Sequence, residues 1–252
     1  MRTILIAGLG LIGGSAGKAL RRRGWFVRYV DPHVSLDDAR AAGAANERVE
    51  NLGDIGNTDL VLLATPVDVA VQQLSMIATD ATITSACSVM RPLRAVAREN
   101  FIAGHPLAGS HERGLAAASA ELFEQKAWFV DGDHELVDAL IRDCGAIRER
   151  VTSAEEHDAA VALTSHLPQV LSTALAAHLH AQGDDVLRFA GTGLKTFLRL
   201  AASSAEVWEP VLEANRGEIE PHADAVAERV REILRGDAAE LFEHAQQLWK
   251  KQ

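Results

Sequence analysis

Hydrophobic positions in the first 150 residues fall into short runs that are apolar almost throughout. The runs are Ile4–Ala7, Phe26–Val30, Leu60–Ala64, Thr82–Cys87, Phe101–Ala103 and Trp128–Val130. Between the early runs, segments such as Ser15–Arg23 and Val69–Ala78 have the spacing of amphipathic helices. Apolar strands that alternate with helices indicate a parallel sheet covered on both faces. The pattern therefore predicts an α/β domain over residues 1–150.

From residue 151 onward the pattern changes to helical spacing rich in Ala, Leu, Glu and Arg. The helical segments are Glu155–Leu179, Ala205–Arg216, Glu218–Leu234 and Ala238–Lys250, with no strand-like run between them. We therefore predict an all-helical second domain over residues 151–252. A helical unit of about 100 residues is small for an independent core, so we also expect it to form a homodimer.

Composition and charge exclude several classes of protein. The 252 residues are 48% apolar and 24% charged, which is typical of a folded chain rather than a disordered one. A net charge of −10 argues against binding to nucleic acid. No run approaches the roughly 20 apolar residues of a membrane span. Two cysteines cannot form a disulfide framework, and the chain enters a strand directly after Met1-Arg2, so we expect a cytoplasmic protein without a membrane partner.

A glycine motif follows the first strand and opens the first helix. It consists of Gly8, Leu9, Gly10, Leu11, Ile12 and Gly13. In a Rossmann-type domain, such glycines permit a tight turn, close approach of a pyrophosphate, and tight packing of helix on strand. Asp31, at the end of the second strand, would bind the ribose hydroxyls and repel a 2′-phosphate, so we expect NAD as the cofactor. The alternative is a glycine-rich turn beside a surface aspartate.

Other strands of the predicted sheet also end in candidate functional residues. Thr65-Pro66, Ser88 and His105 each follow a strand, and ligands of parallel sheets bind at the carboxyl ends of the strands. His105 lies between Gly104 and Pro106, which is not a typical environment for a core histidine. It could also be a solvated loop residue, and Ser88 could simply cap a helix.

The helical half adds His157-Asp158, His166 and Arg199. The two histidines are nine residues apart and would point about 180° from each other on one helix, so they do not predict a metal site, and we expect none. Arg199 lies in an apolar stretch. It would either clamp a substrate carboxylate or form a structural salt bridge within its own chain.

Together these motifs resemble the prephenate/arogenate dehydrogenases of tyrosine biosynthesis, over nearly the whole chain. The resemblance rests on the glycine motif continued to Ser15, on Ala64-Thr65-Pro66, and on Gly104–Ser110. It also rests on Leu122-Phe123 with Trp128, on His157-Asp158, on Ser165–Pro168, and on Arg199 followed by Trp208 and Asn215. The resemblance implies an NAD-dependent oxidoreductase with a helical dimerisation domain.

The resemblance also implies a role for each site residue. His105 would accept the proton of the ring hydroxyl as hydride leaves, and Ser88 would orient that histidine and the nicotinamide end of NAD. Arg199 would bind the ring carboxylate of the substrate, and His166 would lie near its side chain. The substrate would be a small molecule, either prephenate or arogenate.

The chain departs from the family pattern at several positions. Where the family usually has Thr-Asp-x-x-Ser-x-Lys, this chain has Ser85 for the Asp and Met90 for the Lys. His111 replaces a common Glu, Gln169 a common second histidine, and Lys195 a common Arg. A β-hydroxyacid dehydrogenase and a non-catalytic NAD-sensing module remain as alternatives, although the catalytic lysine motif of the former is not recognisable here.

Overall fold

A parallel sheet of six strands forms the N-terminal part of the computed structural model, which describes residues 1–110, 112–236 and 238–251. The family departure at His111 lies outside the described residues. The strands are β1 (Thr3–Ala7), β2 (Phe26–Val30), β3 (Glu47–Arg48), β4 (Leu60–Leu63), β5 (Thr82–Ser85) and β6 (Phe101–Ile102). Their spatial order is β3-β2-β1-β4-β5-β6. This order confirms the predicted Rossmann-type sheet. The strands are added outward from β1 in one direction up to β3 and outward from β4 in the other direction, so the strand order switches between β1 and β4.

Helices cover both faces of this sheet. They are α1 (Leu11–Arg22), α2 (Leu36–Ala41), α3 (Val67–Met76) and α4 (Arg91–Arg94), with α5 (Glu135–Asp143) added later in the chain. Alternate side chains of β1 enter two separate cores: Ile4 and Ile6 pack with α1 and α5, whereas Leu5 packs with α3 and α4. Burial on both faces explains why the strands are continuous apolar runs.

A second sheet of three strands was not predicted. It comprises β7 (Gly104–Pro106), β8 (Ala127–Val130) and β9 (Ile147–Arg150). β7 pairs with β8 in antiparallel orientation, and β8 pairs with β9 in parallel orientation. The apolar run at Trp128–Val130 is thus a strand, but it belongs to this sheet. β9 escaped detection because its sequence Ile-Arg-Glu-Arg is polar and largely exposed.

Helices alone follow β9 in the described part of the chain. They are α6 (Ala154–Val161), α7 (Leu167–Ala181), α8 (Thr192–Phe197), α9 (Ala205–Arg235) and α10 (Ala239–Trp249), and a π-helical turn over Ala162–His166 joins α6 to α7. α9 covers two segments that were predicted as separate helices. A kink at Asn215 lies close to the predicted break between them. None of the described helices is long and apolar enough to cross a membrane.

Candidate active site

The glycine motif forms the turn between β1 and α1. Gly8 has a positive φ of 87°, and a Cβ there would lie 2.9 Å from the carbonyl oxygen of Ala64. A Cβ on Gly13 would lie only 1.9 Å from the carbonyl oxygen of Gly8, so strand and helix pack too closely for any side chain. At Gly10, by contrast, a Cβ would meet nothing within 4 Å. The second glycine therefore faces open space while the other two face protein.

The residues around this turn fit a dinucleotide. Gly10 is the N-cap of α1 and makes no side-chain cap, and the first turn has no acidic residue, so the N–H groups of that turn are available to an anion. Asp31 follows β2 and accepts hydrogen bonds from the backbone N–H of Leu9 (2.8 Å) and of His33 (2.8 Å). These bonds hold the carboxylate beside the glycine turn, where a ribose would lie.

The loops after β4 and β5 border the same edge of the sheet. Thr65 donates a hydrogen bond to Gln73 (2.8 Å), and Pro66 immediately precedes α3. Cys87 is buried, and burial raises the pKa of its thiol to about 12, which excludes it as a nucleophile. Ser88 is partly exposed, and no hydrogen bond from its hydroxyl occurs within the described residues.

His105, in the middle of β7, is buried with 8% of its surface accessible. Its Nδ1 lies 2.9 Å from Nε2 of His157, and Nδ1 of His157 lies 2.8 Å from Oδ1 of Asp158. His105 is therefore not a solvated loop residue. The neighbour that contacts its ring nitrogen is His157, whereas the resemblance assigns its orientation to Ser88.

Asp158 is anchored from the nucleotide-binding half of the chain. Its two carboxylate oxygens accept the backbone N–H groups of Met90 (2.8 Å) and Arg91 (2.9 Å), at the start of α4. The guanidinium of Arg91 lies 3.4 Å from the same carboxylate and donates to Glu218 (2.8 Å). The family usually has Lys at the position of Met90. In this chain Arg91, one residue later, supplies a cation at this junction.

A second histidine, His166, lies in the same buried cluster. Arg91 donates to the amide oxygen of Asn215 (2.9 Å), so the amide nitrogen of Asn215 faces Nδ1 of His166 (3.1 Å) and the carbonyl of Asp158 (2.8 Å). Nδ1 of His166 must therefore accept, and its proton resides on Nε2. That Nε2 is buried and has no hydrogen-bond partner among the described residues, so it can donate to a ligand.

The expectation that His157 and His166 point in opposite directions is wrong. A π-helical turn of five residues leads up to His166. Because a π-helix rotates less per residue than an α-helix, His166 is turned back toward the side of the helix that bears His157. Both rings are consequently buried in one cluster with Asp158. Within the described residues there is no group of three or more His, Cys, Asp or Glu side chains arranged for a metal ion.

Burial lowers the pKa of two histidines of this cluster, His105 and His166. Burial, the largest cause, lowers the pKa of His105 well below its ordinary value, and the neighbouring His157 and His166 lower it further. Burial also lowers the pKa of His166 to about 4, partly offset by the attraction of Asp158. An unprotonated imidazole at His105 can accept a proton near neutral pH.

No hydrogen bond joins Arg199 to His105 or His166 within the described residues. Arg199 lies exposed on a 3-10 turn over Leu198–Ala202, and this segment is tied to α7 through Gln169, which donates to the carbonyl of Leu200 (3.0 Å). No ion pair or hydrogen bond from the Arg199 guanidinium occurs within the described part of the chain. The structural salt bridge considered above is therefore absent from residues 1–110, 112–236 and 238–251.

Sequence reasoning missed the roles of Arg91 and Asn215 in this cluster. Arg91 is 67 residues from Asp158, and Asn215 is 49 residues from His166. No spacing rule connects residues so far apart. The only sequence signals were two separate family motifs, one with His157-Asp158 and one with Arg199, Trp208 and Asn215.

This fold and site define a dinucleotide-dependent oxidoreductase, with a nucleotide turn at the sheet edge and a buried histidine nearby. Comparison with known proteins refines the class. Residues 16–140 match the family model of the prephenate dehydrogenase nucleotide-binding domain, and residues 153–247 match that of the prephenate dehydrogenase dimerization domain. The chain belongs to the prephenate dehydrogenase family, which confirms the resemblance.

Individual relatives agree. Prephenate dehydrogenase of Bacillus subtilis is 31% identical over 92% of this chain, which spans 68% of the relative's length. Cyclohexadienyl dehydrogenase of Zymomonas mobilis is 30% identical over 88% of this chain and 83% of the relative. The crystal structure of Aquifex aeolicus prephenate dehydrogenase with hydroxyphenyl propionate and NAD+ superposes with a TM-score of 0.84 at 27% identity, covering 100% of this chain and 97% of that one.

Proposed function

We propose that this protein catalyses the NAD-dependent oxidative decarboxylation of prephenate to 4-hydroxyphenylpyruvate in tyrosine biosynthesis. The observation that carries the proposal is the buried, neutral His105, whose Nε2 has no hydrogen-bond partner among the described residues and which lies on β7, next to the nucleotide-binding sheet. Family membership and the B. subtilis relative support the same reaction. Such a reaction requires a ring held in place, a fixed carboxylate and one proton acceptor.

The chemistry balances with one base. The C4–H bond of prephenate breaks and its electron pair leaves as hydride, while the C4 hydroxyl proton passes to His105. The bond to the ring carboxylate then breaks, carbon dioxide leaves, and its electron pair completes the aromatic ring. His105 returns the proton to the phenolate oxygen. NAD, when bound, supplies the acceptor for the hydride.

The remaining residues bind and orient. The turn Gly8–Gly13 and the start of α1 would hold the pyrophosphate, Asp31 the ribose, and Thr65-Pro66 would border the nucleotide. Ser88 would orient the nicotinamide end. Nε2 of His166 would donate to the substrate, and Arg199 would pair with its carboxylate. We assign residues 1–150 to cofactor binding and residues 151–252 to substrate binding and dimerisation.

Dimerisation through the helical half is supported by exposed apolar side chains. Large apolar side chains are exposed on the last helices and on the segments that connect them. Leu234 is 81% and Trp249 78% accessible, and the other examples include Phe189, Phe197, Phe242 and Leu248. Large apolar side chains left exposed in this number are typical of a protein interface. We expect sedimentation to show a homodimer at micromolar concentration, whereas a monomer would contradict this assignment.

The direct test of the proposed function is a set of parallel assays. NADH formation is followed with prephenate and with arogenate, each with NAD and with NADP. We expect turnover with prephenate and NAD, and a strong preference for NAD because Asp31 repels a 2′-phosphate. Turnover with arogenate but not with prephenate would show that arogenate is the substrate. No turnover with either compound would overturn the proposed function.

A further inference from the structure

The contacts of His157 place its ring between the carboxylate of Asp158 and Nδ1 of His105. Both oxygens of Asp158 accept backbone N–H groups, and Oδ1 is also 2.8 Å from Nδ1 of His157. A carboxylate has no proton to give, so His157 must donate from Nδ1. When the His157 ring carries only this proton, its Nε2 is an acceptor, and the atom 2.9 Å away, Nδ1 of His105, is the donor.

From this we propose that His157 is a positioning residue: held by Asp158, it keeps the proton of neutral His105 on Nδ1 and leaves Nε2 unprotonated to accept the hydroxyl proton of the substrate. The proposal rests on the proposed function for the identity of that substrate. It assigns a role to His157 that the sequence motif alone did not supply.

Packing leaves little room for any other arrangement. His157 is 2% exposed and Asp158 is fully buried, and the His105 and His157 rings meet edge to face at 5.0 Å between centroids. Phe129 of β8 also packs against His157, with a centroid distance of 6.0 Å. The titratable and charged groups of the cluster are His157, His166 and Asp158, with Arg91 behind Asp158. A rotated His105 ring would lose its only hydrogen bond among the described residues.

The same contacts assist the proton transfer itself. When His105 gains a proton on Nε2, its Nδ1–H already points to His157, whose own Nδ1–H points to the carboxylate of Asp158. The positive charge is thereby stabilised by the oriented ring of His157 and by the carboxylate of Asp158. Asp158 in turn is held by the backbone of α4, so the base is positioned by contacts between the two halves of the chain.

The first test needs no substrate. Histidine ring nitrogens of protein labelled with 15N-histidine are observed by NMR at pH 8, and the His105 signals are assigned from their absence in His105→Asn. We expect His105 and His157 both to carry the proton on Nδ1. A His105 ring protonated on Nε2 would overturn the proposal, whatever the substrate proves to be.

The second test compares two variants of His157. His157→Gln retains an amide oxygen to accept from His105 and an amide N–H to donate to Asp158, whereas His157→Leu retains neither. We expect turnover per correctly folded molecule to fall about 10²–10⁴-fold in His157→Leu and to recover to within about tenfold of wild type in His157→Gln, since a base in the wrong tautomer loses effects of this size. The KM for NAD should change little in either variant.

Thermal melting and NADH binding serve as controls that both variants are folded. A purely structural role would lower the melting temperature of both and leave turnover per folded molecule near wild type, which would contradict the proposal. Equal losses of turnover in His157→Leu and His157→Gln would also contradict it. Wild-type protein inactive on prephenate and arogenate would refute the proposed function instead, and the NMR result would still decide the tautomer.

Discussion

The two ring nitrogens of His105 have different surroundings, and its chemistry depends on this difference. Nδ1 contacts His157, whereas Nε2 has no hydrogen-bond partner among the described residues. Burial and the neighbouring histidines lower the pKa of His105, so the ring is neutral at pH 7. A neutral ring with one engaged nitrogen and one available nitrogen is suited to accept a single proton.

Replacing His105 by Asn should therefore remove the base without removing the fold. We expect His105→Asn to bind NADH normally and to turn over about 10²–10⁴-fold more slowly. In wild type, kcat/KM should decline only well below pH 6.5, because protonation of His105 in the free enzyme is disfavoured by burial. Steady-state kinetics across pH measures both effects, and a variant with near wild-type turnover and an unchanged acidic limb would identify a different base.

Arg199 allows a separate prediction because it makes no ion pair within the described residues. Arg199→Ala should leave the melting temperature unchanged and raise the KM for prephenate roughly 30- to 1000-fold, as expected for the loss of about 2–4 kcal/mol from a charge-assisted pair. The KM for NAD serves as the internal control. Loss of stability with a normal KM for prephenate would instead show that this arginine has a structural role.

At the scale of elements, the turn from β1 to α1 combines two glycines with opposite requirements. Gly13 is needed by the protein itself, because a side chain there would collide with the backbone of Gly8. Gly10 faces space that the protein does not fill. The same element thus contains one position that the fold requires to be glycine and one at which we expect the cofactor to approach.

This contrast gives a matched pair of variants. Gly10→Ala should fold with a melting temperature close to wild type but bind NAD at least about tenfold more weakly, because its methyl group enters the space of the pyrophosphate. Gly13→Ala should lower stability by roughly 1–3 kcal/mol or more, as overpacking does. Thermal melts and NADH titrations separate the two, and equal loss of stability in both would contradict the assignment.

At the scale of the whole molecule, the histidine cluster lies between the two halves of the chain and makes the stability of the folded protein depend on pH. His105 belongs to the second sheet, whereas His157, His166 and Asn215 belong to the helical half, and Arg91 belongs to α4. The pKa values of His105 and His166 are lower in the folded protein than in the unfolded chain. The unfolded state therefore binds protons first as the pH falls, and stability is lost below about pH 6.5.

For His166 the size of this effect can be stated. A pKa of about 4 in the folded state, against about 6.5 unfolded, should remove about 2 kcal/mol of unfolding free energy between pH 7.5 and pH 5. Urea unfolding at these two pH values, at one protein concentration, measures the loss. His166→Gln should lose correspondingly less on acidification, and an equal loss in both proteins would show that His166 is not the group responsible.

Local sequence patterns determined much of the architecture. The six apolar runs, the glycine motif and Asp31 were all readable because each depends on residues adjacent in the chain: burial on both faces makes a strand apolar, and a tight strand-to-helix turn requires glycine at fixed positions. The change of pattern near residue 150 likewise announced the helices that follow β9.

Tertiary structure alone decided how the site is assembled. His105 and His157 are 52 residues apart, and Asp158 meets the start of α4 across 67 residues. The π-helical turn that brings His166 to the same cluster has no signature in the sequence, and neither does the polar strand β9. Such contacts depend on how separate elements pack against one another, because the energy that fixes them comes from shared burial and hydrogen bonds rather than from the preferences of any one segment.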